Sequence, residues 1–99
     1  MRRDFKDKQY KDWRMAVYTR DNFTCQWPNC HSQKRLNAHH IKTWAKFPGL
    51  RFEINNGITL CKNHHDLIKG MEEDYSYSFL QLLVSKKFNT NQKRKKSHD

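Results

Sequence analysis

Three cysteines and six histidines carry most of the chemistry this chain can offer. Cys25-x4-Cys30 is followed, 31 residues after Cys30, by Cys61-x2-His64. Thiolate and imidazole are good donors to a borderline-soft ion, and two close pairs of them suit the tetrahedral coordination of a structural zinc. On a helix, at roughly 100° per residue, Cys61 and His64 lie about 60° apart and can grip one ion. An odd cysteine count leaves one thiol over from any closed disulfide set, so metal ligation in a reducing compartment is the better use. His31 is a rival fourth ligand, but it follows Cys30 directly and lacks a paired spacing.

His39, His40 and His65 make a second cluster. His65 sits about 100° round a helix from His64, so these neighbours can serve different ions. Taken alone, an adjacent His-His pair also reads as a surface strand with one satisfied histidine. Neighbours on an ideal strand point to opposite faces, so both reach one site only if the strand ends or twists there.

The scaffold that positions these groups has little apolar material. Ninety-nine residues make one domain, and 35% of them are hydrophobic, against about 45–50% in an average soluble domain on a similar count. A thin core of this kind leans on a staple such as a metal. Tyr10, Trp13, Ala16 and Val17 recur at helical spacing and predict an amphipathic helix over 8–20. Pro28-Asn29 turns the chain between the first two cysteines. A strand is expected over 35–41, a long loop over 42–55 with Pro48-Gly49, a second strand over 57–60, and a helix over 60–69 ended by Gly70. A last helix over 72–86 opens on Glu72, Glu73 and Asp74, as the helix dipole favours, and buries Tyr75, Phe79, Leu82 and Leu83. The folded domain is expected over 1–88, with 89–99 a disordered basic tail.

Twenty Lys+Arg against ten Asp+Glu leave a net charge of +10, which favours a polyanionic partner, nucleic acid before membrane. Residues 1–8, MRRDFKDK, lack the apolar run of a secretory signal, and no segment approaches the ~18 apolar residues of a spanning helix. The expectation is a cytoplasmic protein with no membrane association and no obligate protein partner. Lys34, Arg35, Lys42, Lys46, Arg51, Lys62 and Lys69 flank the histidines in sequence and are the candidate DNA contacts. Trp44 and Phe47, in the long loop, either meet bases or pack against the last helix.

As a set, Cys25…Cys30, Leu36-Asn-Ala-His39-His40-Ile, Asn56-Gly-Ile-Thr-Leu-Cys61-Lys-Asn-His64-His65 and Gly70 resemble the HNH (ββα-metal, His-Me finger) endonucleases of the small, phage-encoded kind. The likeness covers about residues 13–80. It implies an α+β fold with a ββα-metal core, a zinc knuckle and flanking helices. It implies metal-dependent hydrolysis of phosphodiester bonds in double-stranded DNA, in a bacterial host cell. By the same resemblance His39 and His65 are ligands of the catalytic divalent ion, His40 is the general base, and Asn56 braces the loop and helps hold His40.

Two positions depart from the family pattern. His64 stands where members often have a second cysteine, which exchanges a thiolate for an imidazole in the zinc set. Lys69 stands four residues after His65, where many members carry a further metal histidine. Two histidines with phosphate oxygen and water suit Mg²⁺ or Mn²⁺, and two imidazoles also suit Ni²⁺ or Zn²⁺. Two other readings of the same residues are a zinc-stabilised DNA-binding module without catalysis and an RNA-directed or toxin-like nuclease.

Overall fold

Asp7 opens the first helix, α1 (Lys8–Arg20), its carboxylate accepting a hydrogen bond from the Gln9 N–H at 2.7 Å. Such a cap satisfies one of the donors that a helix start leaves without an intrahelical partner. The computed structural model describes the backbone of residues 7–97 and the side chains of residues 7–85. Along α1 the residues Tyr10, Trp13 and Val17 are buried, the stripe that their spacing predicts.

A two-stranded antiparallel sheet follows, β1 (Leu36–His40) and β2 (Gly57–Cys61), with Leu36 opposite Cys61 and His40 opposite Gly57. The connection carries two 3₁₀ turns, Pro48–Leu50 and Ile54–Asn56. Then come α2 (Lys62–Leu67) and α3 (Glu72–Ser97), parted at Gly70, whose φ of +82° is a conformation that glycine adopts without strain. The fold is α+β, with a two-stranded sheet and three helices among the described residues.

Every residue of β2 is buried, because the strand is covered on both faces. On one side Ile58 and Leu60 join Cys25, Ile41, Cys61, Ile68 and Phe79 in the larger apolar cluster. On the other lies the smaller cluster of Tyr10, Trp13 and Val17, with Ala38, Trp44 and Phe52 packed against it. Gly57 allows the close approach of α1: a Cβ there would lie 2.5 Å from Val17 Cγ2 and 2.7 Å from Trp13 Cζ2. Asp21, 1% exposed, fastens the end of α1 to the sheet, accepting from the Thr59 N–H at 2.9 Å and pairing with Arg20 at 2.8 Å. Arg20 in turn donates to the carbonyls of Gly57 and Ile54, so the buried carboxylate is both paired and hydrogen-bonded.

α3 buries Phe79 and half-buries Tyr75, Leu82 and Leu83, the expected stripe. Its backbone passes the expected end near residue 86 and continues to Ser97, since neither glycine nor proline interrupts the chain after Gly70. The expected tail, 89–99, has its side chains outside the described residues, as are residues 1–6 of the expected domain. Among the described residues no helix is long and apolar enough to cross a membrane.

Candidate metal centre

The knuckle that carries Cys25 and Cys30 is closed by backbone. The Cys25 N–H donates to Ser32 O at 2.8 Å and the Cys30 N–H to Trp27 O at 2.9 Å, with Asn29 at φ 68° making the turn. The Gln26 N–H donates to Thr59 O at 2.9 Å, which seats the knuckle on β2. Cys61 ends that same strand and is the N-cap residue of α2, and His64 lies one turn further on.

Sγ of Cys25, Cys30 and Cys61 and a ring nitrogen of His64 all lie within 4.8 Å of one another. His64 Nδ1 is 3.7 Å from Cys25 Sγ and 3.3 Å from Cys61 Sγ. A tetrahedral zinc with ordinary Zn–S and Zn–N bonds holds sulfur and nitrogen about 3.6 Å apart, and the two separations bracket that value. Donor set and spacing thus fit a structural zinc. His31, the rival ligand, is exposed and outside the group. Trp27 lies parallel to the His64 ring, centroids 4.6 Å apart and planes 7° apart, and fixes its orientation.

The cysteines are electrostatically unequal. Burial pushes the Cys25 thiol up to about 11. Burial also opposes the Cys61 thiolate, but the His64 N–H, the hydrogen bonds of Cys25 and Cys30 and the Asn63 N–H outweigh it and lower its pKa. A bound cation is what allows several thiolates to coexist in so small a volume.

Three further histidines come together at the end of β1. His39, His40 and His65 line one cavity of about 360 Å³, with Thr43, Trp44, Lys69 and Glu72 in its wall. His39 faces α2 and α3, its ring 5.5 Å from His65 and 5.6 Å from Phe79 between centroids. His40 faces α1, stacked on Trp13 at 4.0 Å. The pair thus obeys strand alternation, and it shares a cavity because β1 ends at His40. Two imidazoles on one cation place their ring centroids roughly 4.5–5.5 Å apart, which the His39–His65 separation matches.

His40 is held by a second contact, Nε2 to the Arg51 carbonyl at 2.9 Å. A carbonyl only accepts, so Nε2 carries the proton and Nδ1 is the basic nitrogen of the ring. Asn56, 4% exposed, closes the loop from which that carbonyl comes. Its Nδ2 donates to Lys42 O at 3.0 Å and Leu50 O at 3.1 Å, while its Oδ1 accepts from the Lys42 N–H at 2.8 Å.

The basic residues divide. Arg35, Lys62 and Lys69 line a second cleft of about 360 Å³ with His65 and Asp66, adjoining the histidine cavity through His65 and Lys69. Lys62 at 2.5 Å and Lys69 at 3.2 Å share Asp66 and hold its carboxyl below its ordinary range. Lys34 is exposed on the approach to β1, and Lys46 pairs with Glu73 at 2.7 Å. Lys42 places its amine 5.6 Å from the centre of the Phe47 ring. Arg51 is turned inward, donating to Trp44 O at 2.7 Å with its guanidinium 4.5 Å above the Trp44 ring. Trp44 packs with Tyr10, His40 and Phe52 beneath α1.

Glu72, Trp13 and Trp27 belong to these sites and were not among the residues singled out for them by sequence. Trp27 carries a local signal, lying inside the Cys25–Cys30 spacing, but Trp13 meets His40 and Glu72 meets the cavity only through tertiary packing. Comparison of the chain with protein-family models, curated proteins and solved structures finds no match.

Proposed function

We propose that this chain is a metal-dependent HNH endonuclease that nicks or cuts double-stranded DNA, with β1, β2 and α2 as a ββα-metal core. The observation that carries the reading is the shared cavity of His39, His40 and His65, with the proton of His40 committed to Arg51. In this reading His40 Nδ1 takes the proton of the attacking water, a task suited to an imidazole near neutral pH. His39 and His65 would hold a divalent ion, Mg²⁺ or Mn²⁺ by the chemistry of the reaction, which when bound supplies Lewis-acid stabilisation of the scissile phosphate and leaving oxygen. Asn56 keeps the loop closed so that the Arg51 carbonyl stays in place under His40. Arg35, Lys62 and Lys69 line the neighbouring cleft and would meet the phosphates either side of the scissile one. The Cys25–Cys30–Cys61–His64 zinc would clamp the knuckle to the strand and helix that carry His65, holding the geometry despite a thin core.

The test is relaxation and linearisation of supercoiled plasmid by the zinc-loaded chain with Mg²⁺ or Mn²⁺, with His40→Ala as control and structured RNA as a parallel substrate. Cleavage of DNA that His40→Ala loses is the expected result. DNA binding without cleavage would favour the non-catalytic zinc module, and cleavage of RNA alone the RNA-directed nuclease.

A further inference from the structure

Two imidazoles are a sparse protein ligand set for a divalent ion, and the cavity wall holds a carboxylate that the ion could use. Glu72, the first residue of α3, is half-buried and lines the cavity beside His39 and His65. The neighbouring charges are otherwise engaged: Lys46 pairs with Glu73, and Lys69 with Asp66. Glu72 has no ion-pair or hydrogen-bond partner among the described residues. A half-buried carboxylate in the wall of a cavity that also holds two imidazoles is a group that a hard cation can recruit, since oxygen ligands are what Mg²⁺ and Mn²⁺ prefer.

We propose that Glu72 is the third protein ligand of the ion held by His39 and His65, bringing α3 into the site. The proposal rests on the histidine site proposed above and adds a residue to it. Among the described residues the Cys25–Cys30–Cys61–His64 group is the one set of three or more such ligand atoms within 4.8 Å of one another. Glu72 therefore joins the histidines by rotation about its side-chain torsions, from a helix start that stays put. With Lys69, in the turn after α2, standing where an extra histidine would be, the third ligand comes from the next helix instead.

The test uses the zinc-loaded full chain and Mn²⁺ alone, read by electron paramagnetic resonance titration and by the Mn²⁺-induced rise in melting temperature. Neither readout needs turnover. Loss of a group that merely supports a metal ligand costs about 10–100-fold in affinity, so Glu72→Gln should weaken Mn²⁺ binding by about 10-fold or more. Glu73→Gln should leave it unchanged, and Glu72→His should restore binding of Ni²⁺. Circular dichroism and zinc content establish that each variant is folded. Mn²⁺ binding by Glu72→Gln at wild-type strength, with His65→Ala defective, overturns the role of Glu72 and leaves the histidine site standing. Equal Mn²⁺ binding by wild type and His65→Ala overturns the histidine site, and this proposal with it.

Discussion

The indole of Trp13 lies flat against the imidazole of His40, with 4.0 Å between ring centroids and 12° between planes. The stack fixes the plane of the ring, and the Arg51 carbonyl fixes its rotation within that plane. A side chain held at both degrees of freedom has little reorganisation left to make, which is what the proposed role in proton transfer requires.

Replacing His40 with alanine should therefore remove most cleavage, by about 10²–10⁴-fold or more, the range general-base catalysis supplies. Added Mn²⁺ should not restore it. His39→Ala and His65→Ala should lose activity in a form that high metal concentration partly recovers. Plasmid cleavage by the three variants across a metal titration separates the roles, and metal rescue of His40→Ala equal to that of His65→Ala would exchange them.

Removing zinc should unfold the protein. Zinc binding in small sites contributes on the order of 10 kcal/mol, more than a core this thin supplies. Cys61→Ser should lower the melting temperature sharply and lose zinc by elemental analysis. A preparation free of zinc with an unchanged melting curve would show the centre to be dispensable.

Zinc affinity should rise with pH. Burial keeps the Cys25 thiol protonated up to about 11 in the folded chain, yet the ion binds the thiolate, so loading expels at least that proton. Each step down in pH restores the competing proton and weakens binding. The logarithm of the apparent affinity should climb by about one or more per pH unit below the Cys25 pKa. A chromophoric chelator in competition from pH 6 upward measures it, and a flat profile would mean that no thiol proton is displaced.

Asn56→Asp should be worse than its size suggests. The amide Nδ2 donates to two carbonyl oxygens, at 3.0 and 3.1 Å, and a carboxylate oxygen in that place faces both lone pairs with nothing to donate. Stability should fall by roughly 2–4 kcal/mol, the scale of losing two buried hydrogen bonds and leaving their acceptors unpaired. Chemical denaturation followed by tryptophan fluorescence measures the loss, because Trp44 sits in the loop that Asn56 closes.

The parts of this fold legible in the sequence are those with local causes. The apolar spacing of α1, Gly70 and the acidic start of α3 act within a turn of where they stand, and the elements begin and end near the residues they indicate. The four sulfur and nitrogen ligands were equally legible, since two close pairs are a short-range signal, and they converge as their spacing implies. Strand alternation tells that His39 and His40 face apart, but not which helix covers each face. Trp13 beneath His40 and Glu72 beside His39 follow from packing over dozens of residues. Asp21 lies just past the helix that the apolar spacing predicts, and its burial under Thr59 depends on β2 arriving beside it. Arg51 reads as one more cation for DNA, and the Trp44 ring and carbonyl that take it are visible only in the loop's closed form.

Between Cys30 and Cys61 lie both strands and the whole loop that joins them, apart from the strands' last residue, which is itself a ligand. An ion bound at both ends is thus a removable cross-link around a chain segment of 31 steps. A permanent link of that length would cut the entropy of the open chain by roughly 3–4 kcal/mol at room temperature. A hairpin clasped in this way would inherit its persistence from metal supply. Under zinc starvation such a chain would lose its clasp and its histidine cavity together, and free zinc would then set how many copies are folded.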